Sequence, residues 1–149
     1  MVILAIDPGT EQSAVVRWDG ELILDHDILA NELVLHFIQS KPFDLCATEG
    51  LSSYGMPVGK ETFVTAYWIG RFWQTCLDCC GNWRLIYRTE VKLYLCHSVR
   101  AKDGNVRQAL LDKVGPSGSK ADPGPTYGIH THEWSALAIA VYAHSTFSR

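Results

Sequence analysis

The segment Val2-Ile3-Leu4-Ala5-Ile6-Asp7-Pro8-Gly9-Thr10 puts five consecutive apolar residues directly ahead of an acid and a Pro-Gly turn. An unbroken apolar run suits a central strand covered on both faces, so the Asp7 carboxylate emerges where that strand ends. Open α/β sheets place their sites at such carboxyl ends. Downstream, Asp44 to Thr48 reads as a second buried strand and runs into Glu49-Gly50 in the same manner. Two acids therefore stand at the ends of two apolar strands.

Around these strands the chain alternates between strand and helix patterns. Gln12 to Trp18 is β-rich, Asp19-Gly20 is a hairpin turn signal, and Glu21 to Asp25 alternates as a third strand would. From Ile28 to Gln39 apolar residues recur at helical spacing, stopping before Lys41-Pro42. Leu51 to Gly59 reads as a loop, Lys60 to Cys80 as a long helix closed by Gly81-Asn82, and Trp83 to Tyr87 as the fifth strand. Short helices are expected from Thr89 to Cys96 and from Asn105 to Val114, a mobile loop from Gly115 to Gly128, and a last helix from Thr131 to Ala143. This order predicts an α/β fold over residues 1–149 as one domain. Its five-stranded mixed sheet has an antiparallel three-strand meander plus two parallel strands, flanked by helices.

With 149 residues, 47% of them apolar and 19% charged, the chain can bury a core without metal or disulfide support. The apolar start is too short for a membrane span and has no basic flank, so neither a signal peptide nor a membrane partner is expected. Five cysteines, an odd number, point to a reducing setting and a cytoplasmic location. Cys76, Cys79 and Cys80 fall on one helical face and read as small core residues rather than zinc ligands. The formal net charge of −3 conceals an asymmetry. Residues 1–83 hold four Lys/Arg against eleven Asp/Glu, whereas residues 84–120 hold eight against three. The basic segment suits either a phosphate-facing surface or an ordinary solvated face.

Two carboxylates at neighbouring strand ends repel one another at neutral pH unless a cation lies between them. Oxygen ligands of this kind favour Mg²⁺ or Mn²⁺. A pair of such ions can activate a water and stabilise the leaving 3′ oxygen of a phosphodiester. Each acid alone fits a turn or a surface role; the two with a third ligand point to a metal centre.

These residues carry a resemblance. Ala5-Ile6-Asp7-Pro8-Gly9-Thr10 resembles the first catalytic strand of the RuvC-type Holliday-junction resolvases of the RNase H-like superfamily. Ala47-Thr48-Glu49 is similar to their second acidic strand, and Thr89-Glu90-Val91-Lys92 to the segment after their fifth strand. Ser135-Ala136-Leu137-Ala138-Ile139-Ala140 resembles their final helix. The likeness spans nearly the whole chain and is nearest to the short members encoded by bacteriophages, which would make the cytoplasm that of a bacterial host. It implies an RNase H-like fold, a homodimer, and metal-dependent symmetric nicking of four-way or branched DNA junctions with two Mg²⁺ or Mn²⁺ ions per site. Asp7 and Glu49 would be catalytic metal ligands.

The last helix departs from the family. Where two acids three residues apart are usual, this chain has His132 and Ser135. A neutral histidine ring binds metals, so His132 is the expected third ligand, with Glu133 as second choice. His130 paired with Glu133, and Asp122 in the preceding loop, are alternative sources of ligands or charge. Lys92, from the matched segment, would contact the scissile phosphate and share in catalysis. Lys102, Asn105 and Arg107 are expected on the DNA backbone. Tyr54 would stack on an unpaired base or stand as an exposed loop tyrosine. Tyr67, Trp68, Phe72 and Trp73 offer a dimer interface or a thick core. Two other readings compete. Ser135 suits a junction-binding module without cleavage, and Asp7-Pro8-Gly9-Thr10 also fits the phosphate loop of actin-like ATPases, which need a second domain to hold their nucleotide.

Overall fold

A computed structural model describes residues 1–149. Strands β1 (Ile3–Asp7), β2 (Gln12–Trp18) and β3 (Ile23–Ala30) form the meander, followed by α1 (Asn31–Ser40), β4 (Leu45–Glu49), α2 (Lys60–Cys80) and β5 (Trp83–Ile86). Helices α3 (Arg88–Cys96), α4 (Asp103–Val114) and α5 (Glu133–Phe147) complete the chain. The sheet order is β3-β2-β1-β4-β5. β1 runs antiparallel to β2 and parallel to β4, and β4 is parallel to β5. The predicted mixed five-stranded sheet is present, with β1 at its centre and buried throughout.

Side-chain alternation along β1 and β4 decides where the acids point. Leu4, Ile6 and Cys46 pack on one face with Val34, Ile38, Phe72 and Cys76 of α1 and α2. Ile3, Ala5, Leu45 and Ala47 pack on the other with Leu137, Ile139 and the alanines of α5. Asp7 and Glu49 continue this second set and face α5. That helix is apolar on nearly every side, with Trp134 and residues 136–141 buried, as a helix pressed into a sheet should be. Its alanines let the backbone lie close to β1 and β2, the strands it covers.

Several boundaries differ from expectation, among them the start of α4 at Asp103 and the end of α5 at Phe147. Ile28, Leu29 and Ala30 extend β3 by pairing with Ala14, Ser13 and Gln12, so α1 starts at Asn31 rather than Ile28. Those apolar residues fit either period, and the free edge of β2 captures them. α5 begins at Glu133, leaving His132 at its N-cap and Thr131 in a left-handed conformation with φ of 46°. Of the three clustered cysteines only Cys76 is buried; Cys79 is exposed and Cys80 half-buried, so the core reading holds for one of them. The segment 115–128 is irregular as expected, but it is tied together. The Gly118–Pro123 bridge closes it, and the buried Thr126 hydroxyl donates to Gly115 O at 2.9 Å.

Candidate active site

The turn behind Asp7 is built to hold the strand end still. A side chain at Gly9 would meet Gln12 O at 2.3 Å, so only glycine passes there. Asn31 Nδ2 donates to Gly9 O at 2.9 Å, Ser13 Oγ donates to Asn31 Oδ1 at 2.6 Å, and Gly9 N donates to Ser13 Oγ at 3.1 Å. This buried network fixes the Asp7-Pro8-Gly9 backbone to β2 and α1.

Asp7 is 7% exposed. Ile6 pairs with Thr48 across the parallel ladder, so Asp7 and Glu49 are the next residues in register on the same face. Burial, then the hydrogen bond and charge of Glu49, push the Asp7 carboxyl up to about 9, against a smaller opposing pull from Arg88. His132 Nδ1 lies 3.0 Å from Asp7 Oδ2 and, carrying a proton, donates to it. The His132 side chain is 74% exposed, which leaves Nε2 facing solvent. Arg88 Nε donates to Glu49 Oε1 at 2.9 Å. Burial works against the Arg88 charge, but Glu49, Asp103 and Asp7 together hold its guanidinium more firmly protonated than usual. His132 thus bonds to Asp7 and Arg88 to Glu49, with the two acids side by side in register.

Further side chains border this group of four. Glu49, Arg88, Lys92, Asp103 and Ser135 line one small cavity. Arg88, Asp103, Arg107, His132, Trp134 and Ser135 line a groove beside it. Arg107 lies over the Trp134 ring, 4.8 Å from its centroid. Sequence reasoning placed Lys92 near the metal centre and Arg107 on the DNA backbone, held Arg88 only as one of the basic residues of the 84–120 segment, and missed Asp103. The signal for Arg88 was its place directly after β5, at the same end of the sheet as Asp7 and Glu49. Asp103, four residues before Arg107, carries no motif.

The remaining expectations divide. Glu133, the second-choice metal ligand, is turned away from Asp7. Its buried carboxylate is taken up by His26 Nδ1 at 2.9 Å and the His130 backbone N–H at 2.9 Å. Asn105 spends its side-chain oxygen on Lys102 N at 3.0 Å, capping α4, so only its amide nitrogen is available to DNA. Lys102 is exposed at that cap. Tyr54 is 67% exposed, with φ of 49°, in the loop after Glu49 and away from the cavities described. Asp122 is exposed, with its backbone N–H bonded to Ser119 Oγ at 3.2 Å.

No three His, Cys, Asp or Glu side chains converge as a ready metal cage. The donor set nevertheless fits a divalent cation. Asp7 is buried beside a second carboxylate, so its ionised form requires positive charge at that point, and two carboxylates with an imidazole are suitable ligands.

No protein-family model and no curated protein matches the sequence. Solved structures do match. Thermus thermophilus RuvC superposes with a TM-score of 0.77 over 100% of this chain and 96% of its own, at 17% identity. The chain has the RuvC fold. T. thermophilus RuvC in complex with Holliday junction substrate gives 0.78 over 100% and 95%, at 16% identity. The RNase H-like architecture expected from the sequence is therefore found over the full chain. No helix is long and apolar enough to cross a membrane.

Proposed function

We propose that this protein is a structure-specific endonuclease that resolves four-way or branched DNA junctions by metal-dependent phosphodiester hydrolysis. One observation carries the reading: the buried Asp7 carboxyl, pushed up by burial and by Glu49, and touched by His132 on a RuvC fold. One of the RuvC neighbours was solved with Holliday junction substrate.

Asp7, Glu49 and His132 would hold Mg²⁺ or Mn²⁺, two ions per site, with Asp103 and Ser135 near enough to hold metal-bound waters. The metal supplies a water acidified for attack and a counter-charge for the leaving oxygen. The chain's own groups do the positioning. Lys92 and Arg88, beside Glu49, face the scissile phosphate and offset the charge that grows on its oxygens. Water oxygen bonds to phosphorus as the bond to the 3′ oxygen breaks, leaving a 5′-phosphate and a 3′-hydroxyl. Arg107, steadied by Trp134, follows the strand along the groove, and Lys102 and Asn105 extend that contact from the start of α4. Tyr54 stacks on an unpaired base at the junction centre. Phe63 and Tyr67, exposed one turn apart on α2 with Gly70 open beside them, suit a homodimer seam presenting two sites to opposite strands.

A second reading is favoured by Ser135, which stands where the RuvC family usually has an acid: a module that binds junctions without cutting them. The discriminating experiment incubates the protein with a synthetic four-way junction and Mg²⁺ or Mn²⁺. Paired nicks in opposite strands support the nuclease. Junctions bound but intact with both metals support the binding module.

A further inference from the structure

Glu133 is 1% exposed, yet it is a carboxylate on the apolar side of α5. Burying such a group is costly unless it is paired and hydrogen-bonded. Here its bonds tie one short segment to β3. Oε1 reaches His26 Nδ1 on β3 at 2.9 Å, while Oε2 reaches His130 Nδ1 at 2.7 Å and accepts from the His130 backbone N–H at 2.9 Å. Glu133 N in turn donates to His130 O at 3.0 Å. Between these two residues lie Thr131, with φ of 46°, and His132, the residue that touches Asp7. A β-branched residue rarely takes that left-handed conformation, and it persists only where its neighbours enforce it. Gly128, at φ of 83°, takes a left-handed backbone that a side chain would strain, although a Cβ there would meet the His26 ring at an ordinary contact distance of 3.4 Å.

We infer that Glu133 is the positioning residue of the site: it clamps the His130–His132 turn to β3 and thereby sets the His132 ring on Asp7. β3 is hydrogen-bonded to β2, whose Ala14 pairs with Asp7, so both ends of the strut rest on one rigid sheet. Glu133 itself touches neither Asp7 nor substrate, in contrast to a metal ligand. The inference rests on the nuclease reading for its consequence in catalysis, but not for its geometry.

The test compares wild type with Glu133→Gln, and with His26→Ala, which removes one bond from a more exposed partner. The primary readout is the ring ¹H–¹⁵N spectrum of His132, recorded without DNA. Glu133→Gln shifts the His132 ring nitrogens, and His26→Ala shifts them the same way by less. In junction nicking, Glu133→Gln lowers kcat by about tenfold to a hundredfold, the loss typical of a misplaced group. Its junction Kd stays within about twofold, and Glu133→Gln adds nothing to the loss already caused by His132→Ala. His132 resonances that stay in place in both folded variants overturn the inference, as does a loss that multiplies with that of His132→Ala. A wild type that nicks no junction overturns the nuclease reading instead, and the spectra still decide the role of Glu133.

Discussion

Replacing Asp7 by Asn should stabilise the DNA-free, metal-free protein while removing its activity. An acid whose folded pKa lies above its unfolded value of 3.8 carries more protons folded than unfolded between the two. Stability therefore falls as pH climbs through that window. Each unit is worth about 1.4 kcal/mol, so at pH 8 the wild-type carboxylate costs at most about 6 kcal/mol. Water entry and movement of the exposed His132 ring reduce this to roughly 2–3 kcal/mol. Asn fills the same volume, accepts from His132 Nδ1 through its oxygen, and has no charge to set against Glu49, at a loss of about 1 kcal/mol for the weaker hydrogen bond. The net gain is about 1–2 kcal/mol, or roughly 3–6 °C in Tm for a chain of this size. Thermal melts in EDTA should show that gap at pH 8 and its disappearance near pH 4.5. With Mg²⁺ the order reverses, because the wild type gains about 2.7 kcal/mol at a hundredfold excess over Kd and the variant gains little. A variant less stable than wild type at pH 8 in EDTA, or a gap that does not change with pH, would refute the strained buried carboxylate.

His132→Ala should lower nicking by at least about a hundredfold with junction affinity retained; full activity would pass the third-ligand role to Asp103, the acid lining the same groove. Arg107→Ala should weaken junction binding at low salt and reduce the slope of log K against log salt by about 1, read by fluorescence anisotropy; an unchanged slope would take Arg107 off the DNA. The double substitution Phe63→Asp and Tyr67→Asp should convert a dimer to a folded monomer by light scattering and abolish paired nicking. A dimer that survives it would place the seam elsewhere.

The parts legible in the sequence are those where one local pattern has one solution. Val2 to Ile6 and Leu45 to Thr48 are apolar without interruption, and such runs ending in acids have few places in a fold other than central parallel strands. The β3–α1 boundary was ambiguous because Ile28-Leu29-Ala30 satisfies both periods, and pairing with β2, a nonlocal contact, decides it. Glu133 was misread for a related reason. A helical wheel shows that Glu133 and His132 diverge, but cannot show that His26, on a strand 107 residues earlier, waits for the carboxylate. Arg88 reads in the sequence only as one basic residue among eight in the 84–120 segment, because its significance lies in a partner 39 residues away, Glu49, rather than in any motif. Lys92 came through the likeness of its segment, and it lines the same small cavity as Glu49.

The most direct test of the account is cleavage of a supercoiled plasmid that extrudes a cruciform, in a single binding event, with and without Mg²⁺ or Mn²⁺. Two sites acting on opposite strands within one bound complex predict linear product, formed only with metal and lost in Asp7→Asn. Plasmid that remains supercoiled with either metal, although bound by the protein, would contradict it.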